Sequence, residues 1–486
     1  SRVDGDLRFA QLPALSGLQA LSLLQSVDGT LEINSLPALS NLSDLAALDE
    51  IGGELLVSYN DALRSLDGLN SIDRLRALII FSNNTLSSLD GLGSLTSIEN
   101  ELVVGGNPAL KDLLGLAALS EVGGELSLYN NNIIIDLQGI EALASVGGLT
   151  ILDNPALESL SGLDSLESIT GRFWVNSNPS LVSVSGLPAF IRVGEVWIAQ
   201  NPVLDRIEGM PNLTNLEGFL RIESNEALSS IDAFDKLNQI QSLRISGNPA
   251  LSEIPGFATL TSIDQDLVLS GTALTDLTVL GNLVSIGSGL RISANAELTS
   301  LEGLDNLTQL ESLMVTENRS LLNLTGIDQI DFVSESLSIY GNPALLNIDG
   351  LGSLLYVGGR LVIGENDSLM NIDGLALLTD IELGLAIVNN SQLANVDGLS
   401  GVERIGSNLA VSGNDVLADL NGFASLNSLT GDLEITRNPM LADLSGLDGL
   451  SSVDALDIRD NESLENLDGL ASLSSIDWSL NLRLNP

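Results

Sequence analysis

The sequence predicts a repeat solenoid: a parallel β-solenoid of 21 turns of 23 to 24 residues, with one long parallel sheet and 3₁₀-like or extended return segments. Three observations predict it. The pattern Leu-x-Ile/Val-x-x-Asn-Pro-x-Leu recurs at a constant interval, the apolar spacing within each copy switches from two to three, and one Asn and one Gly return at fixed places in most copies.

The first apolar residues of the copies run from Leu7, Leu31 and Leu55 to Leu433, Leu456 and Leu480, and every interval is 23 or 24. A period this constant makes each copy one turn, unable to bury its apolar side alone and stable only when stacked. In the copy beginning at Leu337, Leu337 and Ile339 are spaced to share one face of a short strand. Leu345, Ile348, Leu351, Leu354 and Val357 then recur every third residue, the spacing of a tight return path with one side inward. Regular α-helix is disfavoured, because a spacing of three without four drifts around a 3.6-residue cylinder.

The sixth position of the turn is Asn in 18 of 21 copies: Asn60, Asn83, Asn107, Asn131, Asn154, Asn178, Asn201, Asn225, Asn248, Asn295, Asn318, Asn342, Asn366, Asn390, Asn414, Asn438, Asn461 and Asn485. An inward amide there offers donors and an acceptor to the backbone where the strand bends, so the residues are expected to form a structural ladder. Leu12, Leu36 and Thr272 are the exceptions. Pro follows this position in ten copies, from Pro13 to Pro486, stopping the strand without removing a needed donor. Gly fills the fourteenth position in 16 of 20 complete copies, commonly after Asp, as in Asp349-Gly350. Turn closure or capping of the return segment explains that Asp, since Ser, Glu and Asn substitute for it and share capping ability but not calcium affinity.

The repeat Leu-x-Ile-x-x-Asn-Pro-x-Leu-x-x-Leu-Asp-Gly-Leu-x-x-Leu-x-x-Ile-Gly-Gly resembles the leucine-rich repeat, in the variant of receptor L-domains and related microbial repeat proteins. The resemblance covers essentially the whole chain. It implies a right-handed solenoid, an extracellular or cell-surface setting and a role in binding, adhesion or recognition, with no catalytic residues to carry over. The chain departs from receptor L-domains in lacking cysteine-bounded ends and in its greater repeat number.

With no composition shift or linker, 1–486 is expected to be a single continuous leucine-rich-repeat solenoid. Neither end carries an obvious polar cap, so it is expected to be part of a longer chain or assembly.

The chain carries 64 Asp and Glu against 19 Lys and Arg, a net charge of -45, and no Cys or His. That composition removes disulfides, Cys or His metal sites, Cys nucleophiles and His-based triads, and no metal or other cofactor is expected. Nucleic acid and anionic membranes are disfavoured as partners, because both are held by Lys and Arg on phosphate. No apolar run reaches the roughly 18 residues of a membrane helix, so direct membrane insertion is not expected. Only Lys111 and Lys236 are lysine, a depletion that with abundant Asp resembles proteins of salty water, although solubility alone also explains the acidity. Among nine Asn-x-Ser/Thr sequons, Asn41, Asn212, Asn306 and Asn323 could carry glycans, whereas Asn83, Asn318, Asn366 and Asn461 lie on the ladder.

One residue after the first strand Leu, six consecutive repeats read Trp174, Trp197, Arg221, Arg244, Val268 and Arg291. Strands roughly 4.8 Å apart would set the two indoles and the guanidiniums in one row on the open sheet face. Trp174, Trp197, Arg221, Arg244 and Arg291 are therefore the candidate ligand-binding residues, a platform for a sugar ring or aromatic group bearing an anionic substituent. The leading expectation is a non-catalytic extracellular recognition or adhesion scaffold binding protein or glycan through its sheet face. The alternative is a structural subunit of a surface filament or sheath, self-associating end to end. A carbohydrate-active enzyme comes third, because no pair of acids breaks the repeat rhythm.

Overall fold

The computed structural model describes residues 1–485, so the expected turn proline Pro486 lies outside the described residues. The chain is a right-handed parallel β-solenoid of about 20 turns. Contacts group it into two compact units, Ser1–Ile240 with Gly247–Phe257, and Gln241–Ser246 with Ala258–Pro486.

In the first unit, successive strands pair in parallel and in register. Leu55 lies beside Leu78, Leu78 beside Leu102 and Leu102 beside Leu126, so like positions of neighbouring turns coincide. The strands Glu121–Tyr129, Ser145–Leu152, Ser168–Asn176 and Arg192–Ala199 start several residues before their repeat's first apolar residue. A register shift, as between Val146 and Leu149 on one side and Ile169 and Phe173 on the other, absorbs the difference between 23 and 24 residues.

The second unit follows the same rule, with Leu337 beside Leu361 and Ile339 beside Ile363. Here a second parallel ladder of two-residue strands, including Phe332–Val333, Tyr356–Val357 and Asp380–Ile381, runs up the return side. The pattern of three produces this ladder, because Val333, Val357 and Ile381 all point into the core. Three-residue 3₁₀ helices such as Asp349–Leu351 and Asp373–Leu375 complete the return path, and no α-helix occurs among the described residues. Leu345, Ile348, Leu351, Leu354 and Val357 are fully buried.

The repeated glycine has a steric cause. A Cβ on Gly350 would run into the carbonyl of Leu324, and one on Gly68, which also has φ of +115°, into that of Leu42. At these turns the return path crosses the backbone of the previous turn too closely for a side chain. The Asp before the glycine does not cap the 3₁₀ turn. The cap lies two residues earlier, Asn347 Oδ1 accepting the Asp349 N–H at 3.2 Å and Asn371 Oδ1 that of Asp373 at 3.2 Å. An Asx turn reaches its own backbone two residues on, which places the capping side chain at the start of the tight turn.

At each bend the ladder asparagines bond one turn to the next. In the first unit, Asn83 N–H donates to Asn107 Oδ1 at 3.0 Å, and Asn83 Nδ2 donates to the carbonyl of Val57 at 2.9 Å. In the second, Asn342 N–H donates to Asn366 Oδ1 at 3.0 Å and Asn342 Nδ2 to Val315 O at 2.9 Å. Seventeen of these residues are buried and Asn485 is half-buried. Leu36 has no amide to offer, yet its N–H still finds Asn60 Oδ1 at 3.0 Å.

One feature of the bend was not expected from the repeat pattern. The residue just before the sixth position has positive φ throughout, glycines at Gly106, Gly247, Gly271, Gly341 and Gly413, and 16 other residues between 52° and 59°. A left-handed residue turns the chain so that the following N–H points inward. The signal was present in the glycines and in Asn130, Asp153, Asn389 and Asp460 of that column, residues that tolerate this region best.

Candidate functional site

In the first unit, Trp174 and Trp197 project from the open face of adjacent strands Ser168–Asn176 and Arg192–Ala199, directly opposite each other in register. Their rings are parallel to within 1° with centroids 5.0 Å apart. Two coplanar indoles cannot approach that closely, so the rings stack on one another. A platform of two side-by-side faces is therefore not what the pair presents.

Trp174 has a second ring contact as well. Arg172 lies with its guanidinium carbon 5.2 Å from the Trp174 ring centroid. It is drawn that way by Glu125, which accepts from Arg172 Nη2 at 2.8 Å on Oε1 and 2.9 Å on Oε2. Glu125 belongs to the strand Glu121–Tyr129, two strands away, and the intervening residue is Gly148. A Cβ added at Gly148 would meet Glu125 Cγ at 3.5 Å, an ordinary contact, so Glu125 and Arg172 reach each other over a small residue. Thr150 also donates to Glu125. Burial alone would raise the Glu125 pKa, but the hydrogen bonds from Thr150 and Arg172 outweigh it and hold the carboxyl below its usual value. The pair resists acid as a result.

Arg221 lies opposite Trp197 in the next strand, yet its guanidinium sits over Phe219, 4.2 Å from that ring's centroid. It makes no ion pair among the described residues. The indole Nε1 atoms of Trp174 and Trp197 are buried without a hydrogen-bond partner, an arrangement that costs about 1 to 3 kcal/mol for each unsatisfied donor. Both tryptophans are half-buried.

Arg244 and Arg291 belong to the second unit. They line a shallow cavity of about 250 Å³ with Asp266, Val268 and Met314. Asp266 is tied down by the Gly289 N–H at 3.1 Å. The structure thus brings Trp174, Trp197 and Arg221 together and places Arg244 with Arg291.

A further cluster went unnoticed in the sequence. In the first unit Tyr59, Phe81 and Tyr129 share the open face, with ring centroids 5.5 Å apart for Tyr59 and Phe81 and 6.2 Å for Phe81 and Tyr129. Tyr129 leans over Gly105, where a Cβ would fall within its ring. Beside them Leu56, Ile79 and Val103 form a continuous apolar column. The aromatics lie three and four residues after the first strand Leu, and only counting aromatic residues in every column would have revealed them.

Of the sequons, Asn41, Asn212 and Asn306 are exposed and Asn323 is half-buried, whereas Asn83, Asn318, Asn366 and Asn461 are fully buried. Among the described residues, no group of His, Cys, Asp and Glu is arranged to hold a metal ion, and no helix is long and apolar enough to cross a membrane.

No protein-family model matches the chain, and no curated protein sequence matches it. Solved structures with a similar fold include an internalin from Listeria monocytogenes, at 16% identity and a TM-score of 0.36, covering 91% of this chain and 88% of that one. Another is the mouse RP105/MD-1 complex, at 17% identity and a TM-score of 0.31, covering 99% and 90%. The Drosophila Toll–Spatzle complex matches at 16% identity and a TM-score of 0.39, covering 95% of this chain and 61% of that one. With every TM-score below 0.5, function has to be read from this chain's own surface.

Proposed function

We propose that the chain is a non-catalytic recognition or adhesion scaffold, acting outside the cell or at its surface, that holds a protein or glycan partner against the open face of its parallel sheet. The observation that carries this reading is the stacked pair Trp174 and Trp197 beside Arg221, on the face of a chain with only three tryptophans and a charge of -45. Trp and Arg concentrate binding energy out of proportion to their number. The resemblance of the repeat to leucine-rich repeats of the L-domain type supports the cell-surface setting. Arg244 and Arg291, over their own cavity in the second unit, are secondary candidates for an anionic ligand group.

A glycan array tests the site, probed with the wild type and with a Trp197→Ala, Arg221→Ala double variant. Loss of the bound glycans in the variant is expected. Equal binding by both proteins, or binding by neither, removes the pair as a glycan site.

A further inference from the structure

The clamp beside Trp174 shows how this sheet face satisfies a carboxylate across two strands. Glu125 and Arg172 flank Gly148 and bond to each other over it. Nearer the start of the same unit the arrangement recurs with different residues. Glu54 and Glu101 flank Ala77 in the corresponding column, Glu54 opposite Ala77 in register and Glu101 one residue before Leu102, which pairs with Leu78. Here both flanking groups are acids, and neither makes an ion pair among the described residues. At roughly 4.8 Å per strand, the two backbones are about 10 Å apart, a span that one guanidinium or ammonium between the carboxylates would bridge.

The neighbouring columns are apolar and aromatic. Leu56, Ile79 and Val103 are each half-buried, and Tyr59 beyond them is 51% exposed with its ring at 86° to that of Phe81. Isolated apolar residues on a surface are ordinary, but a continuous patch rimmed by unpaired charge of one sign marks an interaction surface.

We propose that this part of the open face, in the strands Glu54–Ser58, Ala77–Phe81 and Leu102–Gly105, docks a basic segment of a protein partner. A Lys or Arg of that segment lies between Glu54 and Glu101, as Arg172 lies against Glu125, while its apolar side chains cover Ile79 and its neighbours. The charge decides the occupant: two unpaired carboxylates beside an apolar strip repel an acidic polymer and favour a cationic, partly apolar one. The inference rests on the sheet face being the recognition surface, but uses residues separate from the tryptophan pair.

Fluorescence anisotropy on the full chain at physiological salt tests it, with a labelled peptide alternating arginine and valine as the probe. Peptides alternating glutamate with valine, and arginine with serine, are the controls. The arginine–valine peptide is expected to bind, the glutamate–valine peptide not to bind, and the arginine–serine peptide to bind roughly tenfold more weakly. A Glu54→Gln, Glu101→Gln variant should weaken binding about tenfold, and an Ile79→Ser, Phe81→Ser variant by a similar factor. Both alter the surface, and an unchanged circular dichroism melt checks that the fold persists. The Trp197→Ala, Arg221→Ala variant should bind the peptide as the wild type does. No binding of the arginine–valine peptide, or equal binding by the Glu54→Gln, Glu101→Gln variant, overturns the inference. Loss of binding in the tryptophan variant alone would assign the peptide to the pair and leave the general recognition reading standing.

Discussion

In the first unit the bend after each strand is built from the same atoms turn after turn, Asn83 N–H on Asn107 Oδ1 and Asn107 N–H on Asn131 Oδ1. One residue into those strands, the open face changes from Leu56 and Ile79 through Ser127 to Trp174 and Arg221. The bend must satisfy buried backbone in every turn, and an asparagine amide does this for its own turn and the one before. The open face meets no such demand, since its neighbours are solvent and other side chains. Recurrence within the chain therefore marks what the solenoid needs, and departures from it are where a specific activity has room to reside.

The largest effect expected lies at the bend. Asn248 accepts from the Asn225 N–H at 2.9 Å and donates to Ile222 O at 2.9 Å. Asn248→Ala leaves both groups buried and unpaired, at a cost of about 1 to 3 kcal/mol for each. Repeat arrays need not unfold in one step, so amide exchange in the adjoining turns is the sharper readout, with the denaturant midpoint beside it. An unchanged midpoint and unchanged exchange would end the contrast between bend and face.

On the face, the expected effect depends on the replacement. Trp197→Ala removes the stack, whereas Trp197→Phe keeps an aromatic contact and removes the orphaned indole N–H. Relief of that unsatisfied donor offsets lost ring area, so the Phe variant should stay within about 1 kcal/mol of the wild type while the Ala variant loses about 2 kcal/mol or more. Equal destabilisation in thermal melts would show that the buried N–H carries no penalty.

The smallest effect concerns pH. Glu125 has a folded-state pKa below its ordinary value of 4.5, so its contribution is fully present above that value and is lost as the pH falls through the lowered one. Carboxyl titration followed by NMR should place the Glu125 midpoint below its ordinary value of 4.5, and Arg172→Ala should move it upward. Indole fluorescence should change over the same acid range, as Arg172 leaves the Trp174 ring. A midpoint unmoved by Arg172→Ala would separate the guanidinium from the carboxylate.

Much of this was legible along the chain. The interval of 23 or 24, the switch from period two to period three and the asparagine column lead to 21 strands that contain the expected first apolar residues, with a buried core at the positions that recur every third residue. Trp174 and Trp197 could be placed side by side on one face from their positions in the repeat. The stacking of one ring on the other could not, because ring orientation depends on what occupies the neighbouring strands. The left-handed residue before each asparagine was also obscured, since it is filled by residues as different as Tyr59, Glu317 and Leu484.

The sequence by itself determined the period, the inward positions and the bend, because each of these depends on spacing within one turn and is repeated until chance is excluded. Tertiary structure alone decided which side chains meet on the open face. Arg172 reaches Glu125, 47 residues earlier, over Gly148, while Glu54 and Glu101 flank Ala77 without a cation between them. Such contacts join residues two turns apart, and whether they form depends on the length and charge of the two side chains that meet. That combination becomes readable only once the turns are stacked.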